Sequence, residues 1–206
     1  MVSKTRDKLI EVARQLFVNK GVENTTMNDI AAASEKGRRT IYTYFKNKRE
    51  IYDAVLESES NVVICKLREI VESELPPIEK LRSYLLKRFE VITPTQYKHR
   101  TPYDRYRALF SRDARRIEKI YELARKKEHA LFVELLNYGV REGVFDAVQA
   151  ECLPSLMSLV FLSADHIRMN TISSSEYDLG DVCDRVIGFV TTGITIQTNN
   201  QNSNIK

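Results

Sequence analysis

Apolar side chains recur along this chain at helical spacing from near its start. Leu9, Ala13, Leu16 and Phe17 form one stripe. Ser3 or Thr5 can cap the helix they define, and Lys20-Gly21 can close it, with glycine free to take the left-handed conformation past the last turn. TTMNDIAAAS follows. Thr25 or Thr26 can cap a second, short helix, and Asp29 stands three residues after Thr26 as in a capping box. Met27, Ile30 and Ala33–Ser34 are expected to face inward. A third short helix runs from Arg38 to about Phe45. Asn47 and Glu50 cap a fourth, whose stripe is Ile51, Val55, Val62, Leu67, Ile70 and Val71, and Pro76-Pro77 must end it by about Glu74.

The period stays near 3.6 beyond the prolines. Residues 77–93 carry Ile78, Leu81, Leu85, Phe89 and Ile92. A polar stretch with Pro94 and Pro102 at its ends reads as a loop, and Tyr103 to Phe110 as a short helix. Residues 113–141 make a long helix closed by Gly143. Val148 to about Asn170 and Leu179 to Gln197 are two more, joined by a serine-rich loop. The fold class is therefore all-α: a small N-terminal three-helix head (residues 1–48), a helical body (49–198) entered through a long connecting helix, and a polar tail (199–206). The stretch 155–167 is apolar nearly all round, and the last helix is apolar on more than one face. Such helices lie either at the centre of their own domain or between subunits. A homodimer contact is expected there, through Leu156, Val160, His166, Val186, Phe189 and Val190.

Composition narrows the classes. The chain is 43% hydrophobic and 29% charged, with few glycines and prolines and no tryptophan. Cys65, Cys152 and Cys183 form no metal or disulfide spacing, which suggests buried thiols in a reducing compartment. The N-terminus lacks a signal-peptide run, and no stretch is expected to supply the roughly 20 apolar residues of a membrane span. The expected location is cytoplasmic. Charge is distributed unevenly. Residues 1–50 hold 11 Lys/Arg against 6 Asp/Glu, which exceeds the net +4 of the whole chain.

The segment GRRTIYTYFKNKRE, Gly37 to Glu50, concentrates that charge beside three aromatics. On a helix, Ile41 and Phe45 share one face and can pin it to the first two helices. Arg38 with Tyr42, and Arg39 with Thr43, then share outward faces. Arginine can bond guanine O6 and N7 through two parallel hydrogen bonds, and a threonine methyl can meet a thymine methyl. Tyrosine offers a hydroxyl for phosphate, while Lys46 and Lys48 stand near the amino end of the fourth helix, where free N–H groups also favour a phosphate. Thr26 stands at a second helix start.

TTMNDIAAASEKGRRTIYTYFKNKREIYDAV resembles the helix-turn-helix signature of TetR-family transcriptional regulators. The matching positions are Thr26, Ile30, Ala31, Thr40, Ile41, Tyr42, Tyr44, Phe45, Lys48 and Ile51, with Phe17 and Gly21 fitting the first helix. The resemblance spans roughly residues 5–56. It departs in the turn, where Glu35 and Lys36 replace a glycine and a small apolar residue. A left-handed glutamate costs about 1 kcal/mol, so Gly37 is expected to take that conformation. Arg39 replaces a frequent glycine, and Gly37 is a weak cap.

The resemblance implies a homodimer that binds double-stranded, palindromic operator DNA, usually as a repressor, and a body that binds an unknown small-molecule effector. The DNA-binding set is Thr26, Arg38, Arg39, Thr40, Tyr42, Thr43, Tyr44, Lys46 and Lys48. Tyr84, Phe89, Tyr103, Tyr106, Phe110, Tyr121, Met157 and Phe161 could line the effector pocket. No cofactor, metal or membrane is expected. An enzyme finds no support: no residue three before a histidine is glutamate, and neither a Gly-rich phosphate loop nor a GxSxG elbow occurs. The competing reading is a helical protein-interaction module that sets its basic head on an acidic partner.

Overall fold

The computed structural model describes residues 2–90, 114–170 and 179–196. It contains α1 (Val2–Lys20), α2 (Met27–Ala33), α3 (Arg38–Tyr44), α4 (Lys48–Glu72), α5 (Pro77–Glu90), α6 (Ala114–Arg141), α7 (Ala147–Asn170) and α8 (Leu179–Ile194). The expected helix at Tyr103–Phe110, both predicted loops beside it and before α8, and the polar tail lie outside the described residues.

The chain packs as two compact units. The first holds residues 1–65 and α6 as far as Lys127; the second holds α4 from Lys66, α5, α6 from Glu128, most of α7, and α8. By packing, the first unit reaches into α4 as far as Cys65. Ile51, Tyr52, Ala54, Val55 and Leu56 are buried in one cluster with Leu9, Phe17, Ile30, Ile41 and Phe45, so the start of α4 belongs to the head.

α1 begins at Val2, which places Thr5 inside the helix rather than at its cap. Gly21, with φ of +82°, closes it: its N–H bonds Phe17 O at 3.0 Å. A side chain there would be strained in that conformation and would meet Glu23 at 2.9 Å. The capping box on α2 forms as the spacing predicts. Asp29 N–H donates to Thr26 Oγ1 (3.1 Å), and Thr26 N–H donates to Asp29 Oδ2 (2.8 Å). Ala31, not Ala33, is the alanine that α2 buries. At α4, Glu50 N–H bonds Asn47 Oδ1 (3.1 Å), but the Glu50 carboxylate reaches Lys46 N–H (2.8 Å), one residue earlier than a regular box requires. Pro77 opens α5, where its missing N–H costs nothing. Val62 is 52% exposed instead of buried, because α4 changes packing partners along its length and its buried face shifts to Ile64, Leu67 and Val71.

The second unit is closed by α5, α6, α7 and α8 around Leu81, Tyr84, Leu131, Phe132, Leu135 and Phe145. Gly139 lets Phe145 approach: a Cβ there would fall 2.0 Å from the ring. Asp146 caps α7 through Gln149 N–H (2.9 Å), and its own N–H bonds Ile194 O (2.8 Å), tying the α6–α7 turn to the end of α8. Pro154 sits inside α7. Cys65 and Cys152 are exposed, contrary to the buried thiols expected, since both fall on outer helix faces; Cys183 is half-buried. Also against expectation, Ala147–Ala164 is apolar and long enough to cross a membrane by length and composition. Its apolar residues lie on every face of the helix, and Leu156 (59%), Leu159 (64%) and Leu162 (49%) are exposed.

Candidate nucleic-acid interface

α3 is supported from behind. Ile41 is fully buried and Phe45 nearly so, and the Arg6 guanidinium lies 5.4 Å from the Phe45 ring centre. Its outer side carries Arg38, Arg39, Tyr42 and Thr43, all exposed. Arg38 stacks toward the Tyr42 ring (5.9 Å), and Thr43 Oγ1 donates to Arg39 O (3.1 Å). These contacts restrain three of the four side chains, all but that of Arg39, while leaving their polar and aromatic groups on the surface.

The turn before α3 departs from expectation. Glu35 takes the left-handed conformation (φ 55°), and Gly37 is extended at φ −63°. The reason is a complete helix-end motif: Glu35 N–H bonds Ala32 O (3.0 Å) and Lys36 N–H bonds Ala31 O (2.9 Å). Lys8 Nζ also holds the Glu35 carboxylate at 3.2 Å. Gly37 still caps α3 without a side-chain bond.

The remaining candidates divide by exposure. Lys46 is exposed and Thr40 half-buried. Tyr44 packs partly against the head core. Thr26 is exposed, but its hydroxyl is engaged in the capping box, and the Thr26 N–H holds the Asp29 carboxyl below the usual carboxylate range. Lys48 Nζ donates to Val22 O (2.6 Å) and Glu23 O (3.3 Å). It ties the start of α4 to the turn after α1, a role the spacing did not suggest.

The suggested pocket residues separate. Tyr84, Phe89, Met157 and Phe161 come together in the second unit, where Tyr84–Phe132 (5.2 Å), Phe132–Phe161 (6.3 Å) and Phe89–Phe161 (5.5 Å) form a chain of rings. Sequence reading missed the charged pair among them. Arg88, 5% exposed, bonds the Glu128 carboxylate and lies 4.7 Å over the Phe161 ring. Tyr84 hydroxyl donates to Glu128 O (3.0 Å), and burial raises its pKa. Tyr121 belongs elsewhere, against the head core. Tyr103, Tyr106 and Phe110 lie outside the described residues. Of the suggested interface set, Leu156 and Phe189 (81%) are exposed, Val160 and Val186 half-buried, and Val190 buried in its own chain. The helix that carries His166 is described but its side chain is not. Among the described residues, no group of three or more His, Cys, Asp or Glu is placed to hold a metal ion.

Residues 9–55 match the model of bacterial regulatory proteins of the tetR family, the stretch that carries α1, α2, α3 and the start of α4. The chain belongs to the TetR family. The transcriptional repressor KstR2 of Mycobacterium tuberculosis is 29% identical over 149 residues, covering 70% of each chain. The solved structure of KstR2, at 25% identity, covers 93% of this chain and 95% of that one with a TM-score of 0.54. A TetR/AcrR-family regulator from Thermobifida fusca shares the fold (TM-score 0.64, 19% identity, 91% and 97% coverage). As a TetR-family member the protein is a DNA-binding transcription regulator and not an enzyme, with an N-terminal helix-turn-helix domain and a helical C-terminal domain.

Proposed function

We propose that the protein is a ligand-responsive repressor that binds a palindromic operator as a homodimer in the cytoplasm. The observation that carries this is the outer side of α3, where Arg38, Arg39, Tyr42 and Thr43 stand exposed over a fully buried Ile41. Arg39, Tyr42 and Thr43 meet base edges; Lys46, Lys48, Thr40 and Tyr44 hold the phosphates beside them. Thr26 keeps α2 in place rather than carrying sequence choice.

Dimer formation is supported by the exposed apolar residues of α7 and α8, foremost Leu156, Leu159 and Phe189. Two heads related by a twofold axis read half-sites about 34 Å apart or a multiple of it. α4, 25 residues long, contributes to both compact units and so connects effector and operator. A coupling of about 1–3 kcal/mol changes operator affinity roughly 5- to 150-fold. Relatives of this fold differ in what they bind: a Saccharomonospora viridis regulator was solved with choline and Bacillus subtilis FadR with stearoyl-CoA. The fold therefore does not choose the effector.

Selection of bound duplexes from a random pool tests this reading. Repeated half-sites in inverted orientation are expected. Enrichment of a single unrepeated site, or of none, overturns it, and the second outcome favours a protein partner for the basic head.

A further inference from the structure

In the first unit, α4 and α6 leave an open cavity of about 380 Å³. α4 presents Glu57, Ser60 and Asn61 to it, and α6 presents Lys119, Ile120, Leu123, Ala124 and Lys127. On each helix these positions fall on successive turns of one face, so two stripes confront each other. The two lysines stand about 12 Å apart along the α6 axis and bracket an apolar stretch. Leu123 on that stretch is 58% exposed.

The charges do not cancel. Glu118 and Glu122 of α6 are held by Arg125 and Lys126, which leaves Glu57 as the acid lining the cavity against two lysines. Lys127 Nζ lies 3.4 Å from Asn61 Oδ1, at the long end of hydrogen bonding, so an anion can take over its ammonium. The wall is also mechanically placed. Ile120 packs against the cluster that contains Ile41 and Phe45, and Leu56, next to Glu57, is part of it. A molecule seated between α4 and α6 therefore acts on the packing that supports α3. The aromatic side chains of the second unit, by contrast, pack on one another around a charge that already has its partner.

We infer that this cavity is an effector site for a small amphipathic anion. Its apolar body covers Ile120, Leu123 and Ala124, and its carboxylate or other oxyanion is held by Lys119 or Lys127 with Ser60. The inference rests on the ligand-responsive reading above. Calorimetry on the full chain compares decanoate and naphthalene-2-carboxylate with decanol and naphthalene-2-methanol. The acids are expected to bind at least about tenfold more tightly, a preference that follows from close charge pairing. The double variant Lys119→Met/Lys127→Met, at exposed positions that leave folding intact, is expected to erase that preference. Leu123→Trp fills the cavity; it is expected to abolish binding of the acids and to weaken operator binding at least about fivefold by itself. Failure of both acids to bind at millimolar concentration overturns the site, as does equal binding of acids and alcohols or an unchanged preference in the double variant. A natural small molecule that releases operator equally from parent and double variant overturns this site but leaves the ligand-responsive reading standing. Binding of the acids without any operator release overturns the cavity as an effector site.

Discussion

The outer side of α3 and the outer sides of α7 and α8 are opposite in chemistry and alike in construction. Each stands on a buried base, Ile41 and Phe45 for α3, Met157, Phe161 and Val190 for α7 and α8. α3 then exposes guanidinium, phenol and hydroxyl groups, whereas α7 and α8 expose Leu156, Leu159, Leu162 and Phe189. Charged groups lose little by standing in water and gain when phosphates replace counterions. A large apolar side chain gains about 1.5–3 kcal/mol when covered. The kind of side chain left outside is what supports the proposed partners: a polyanion over α3, the apolar surface of a second copy over α7 and α8.

The comparison breaks most severely if the apolar side needs no cover. Leu159→Asp/Phe189→Asp is expected to convert a dimer to a folded monomer and to lower operator affinity on the order of a thousandfold, because the second half-site no longer contributes. Sedimentation and circular dichroism, read beside operator titration, check this; an unchanged dimer removes α7 and α8 as the interface. Next in size is a charge pair largely withdrawn from water. Arg88→Met takes the buried guanidinium away from the half-buried Glu128 carboxylate and is expected to cost about 3 kcal/mol in denaturant unfolding, while Arg88→Met/Glu128→Leu regains most of it. Arg39→Ala, removing the same residue type from an exposed position, is expected to stay within about 0.5 kcal/mol.

Tyr42→Ala separates function from stability: about 1–3 kcal/mol lost in discrimination among operator variants, with the unfolding midpoint unmoved. Thr26→Ala removes the α2 cap and is expected to cost about 1 kcal/mol of stability. The cap also has a pH signature. The Asp29 carboxyl is held below its ordinary range by the Thr26 N–H, so its contribution is full above about pH 4 and is lost as pH falls through the lower folded value. Asp29→Asn is expected to flatten that acid limb. The smallest change is Glu35→Gly, which relieves a left-handed glutamate worth about 1 kcal/mol, less whatever the exposed Lys8 pair contributes. A net rise in melting temperature of a few degrees is expected.

The reading head was legible because its signals are local. The Thr26–Asp29 box, the glycine after Lys20 and the Ile41–Phe45 spacing are each decided within a turn of helix. What escaped depends on partners distant in sequence. Lys48 meets carbonyls 26 and 25 residues earlier, and Lys8 meets Glu35 across 27, so neither tie shows in spacing. Glu35 adopts the conformation assigned to Gly37 because two backbone hydrogen bonds and an ion pair favour it there. In the body, helix positions followed from periodicity, but not every face did. α7, apolar on several sides, gives no periodic clue to its inner face, whereas on α8 the spacing of Ile187, Val190 and Ile194 marks the buried face and leaves Phe189 off it. Nor could periodicity place Tyr121 with the head or bring Arg88 to Glu128, 40 residues away.

One measurement bears most directly on the orientation of α3: binding of Arg39→Ala, Tyr42→Ala and Lys46→Ala to a selected operator and to its single-base variants. The first two are expected to relax preference at particular base pairs. Lys46→Ala is expected to weaken every duplex alike and to lower the salt slope by about one ion. Identical base preferences in all three variants and the parent would place sequence reading somewhere other than α3.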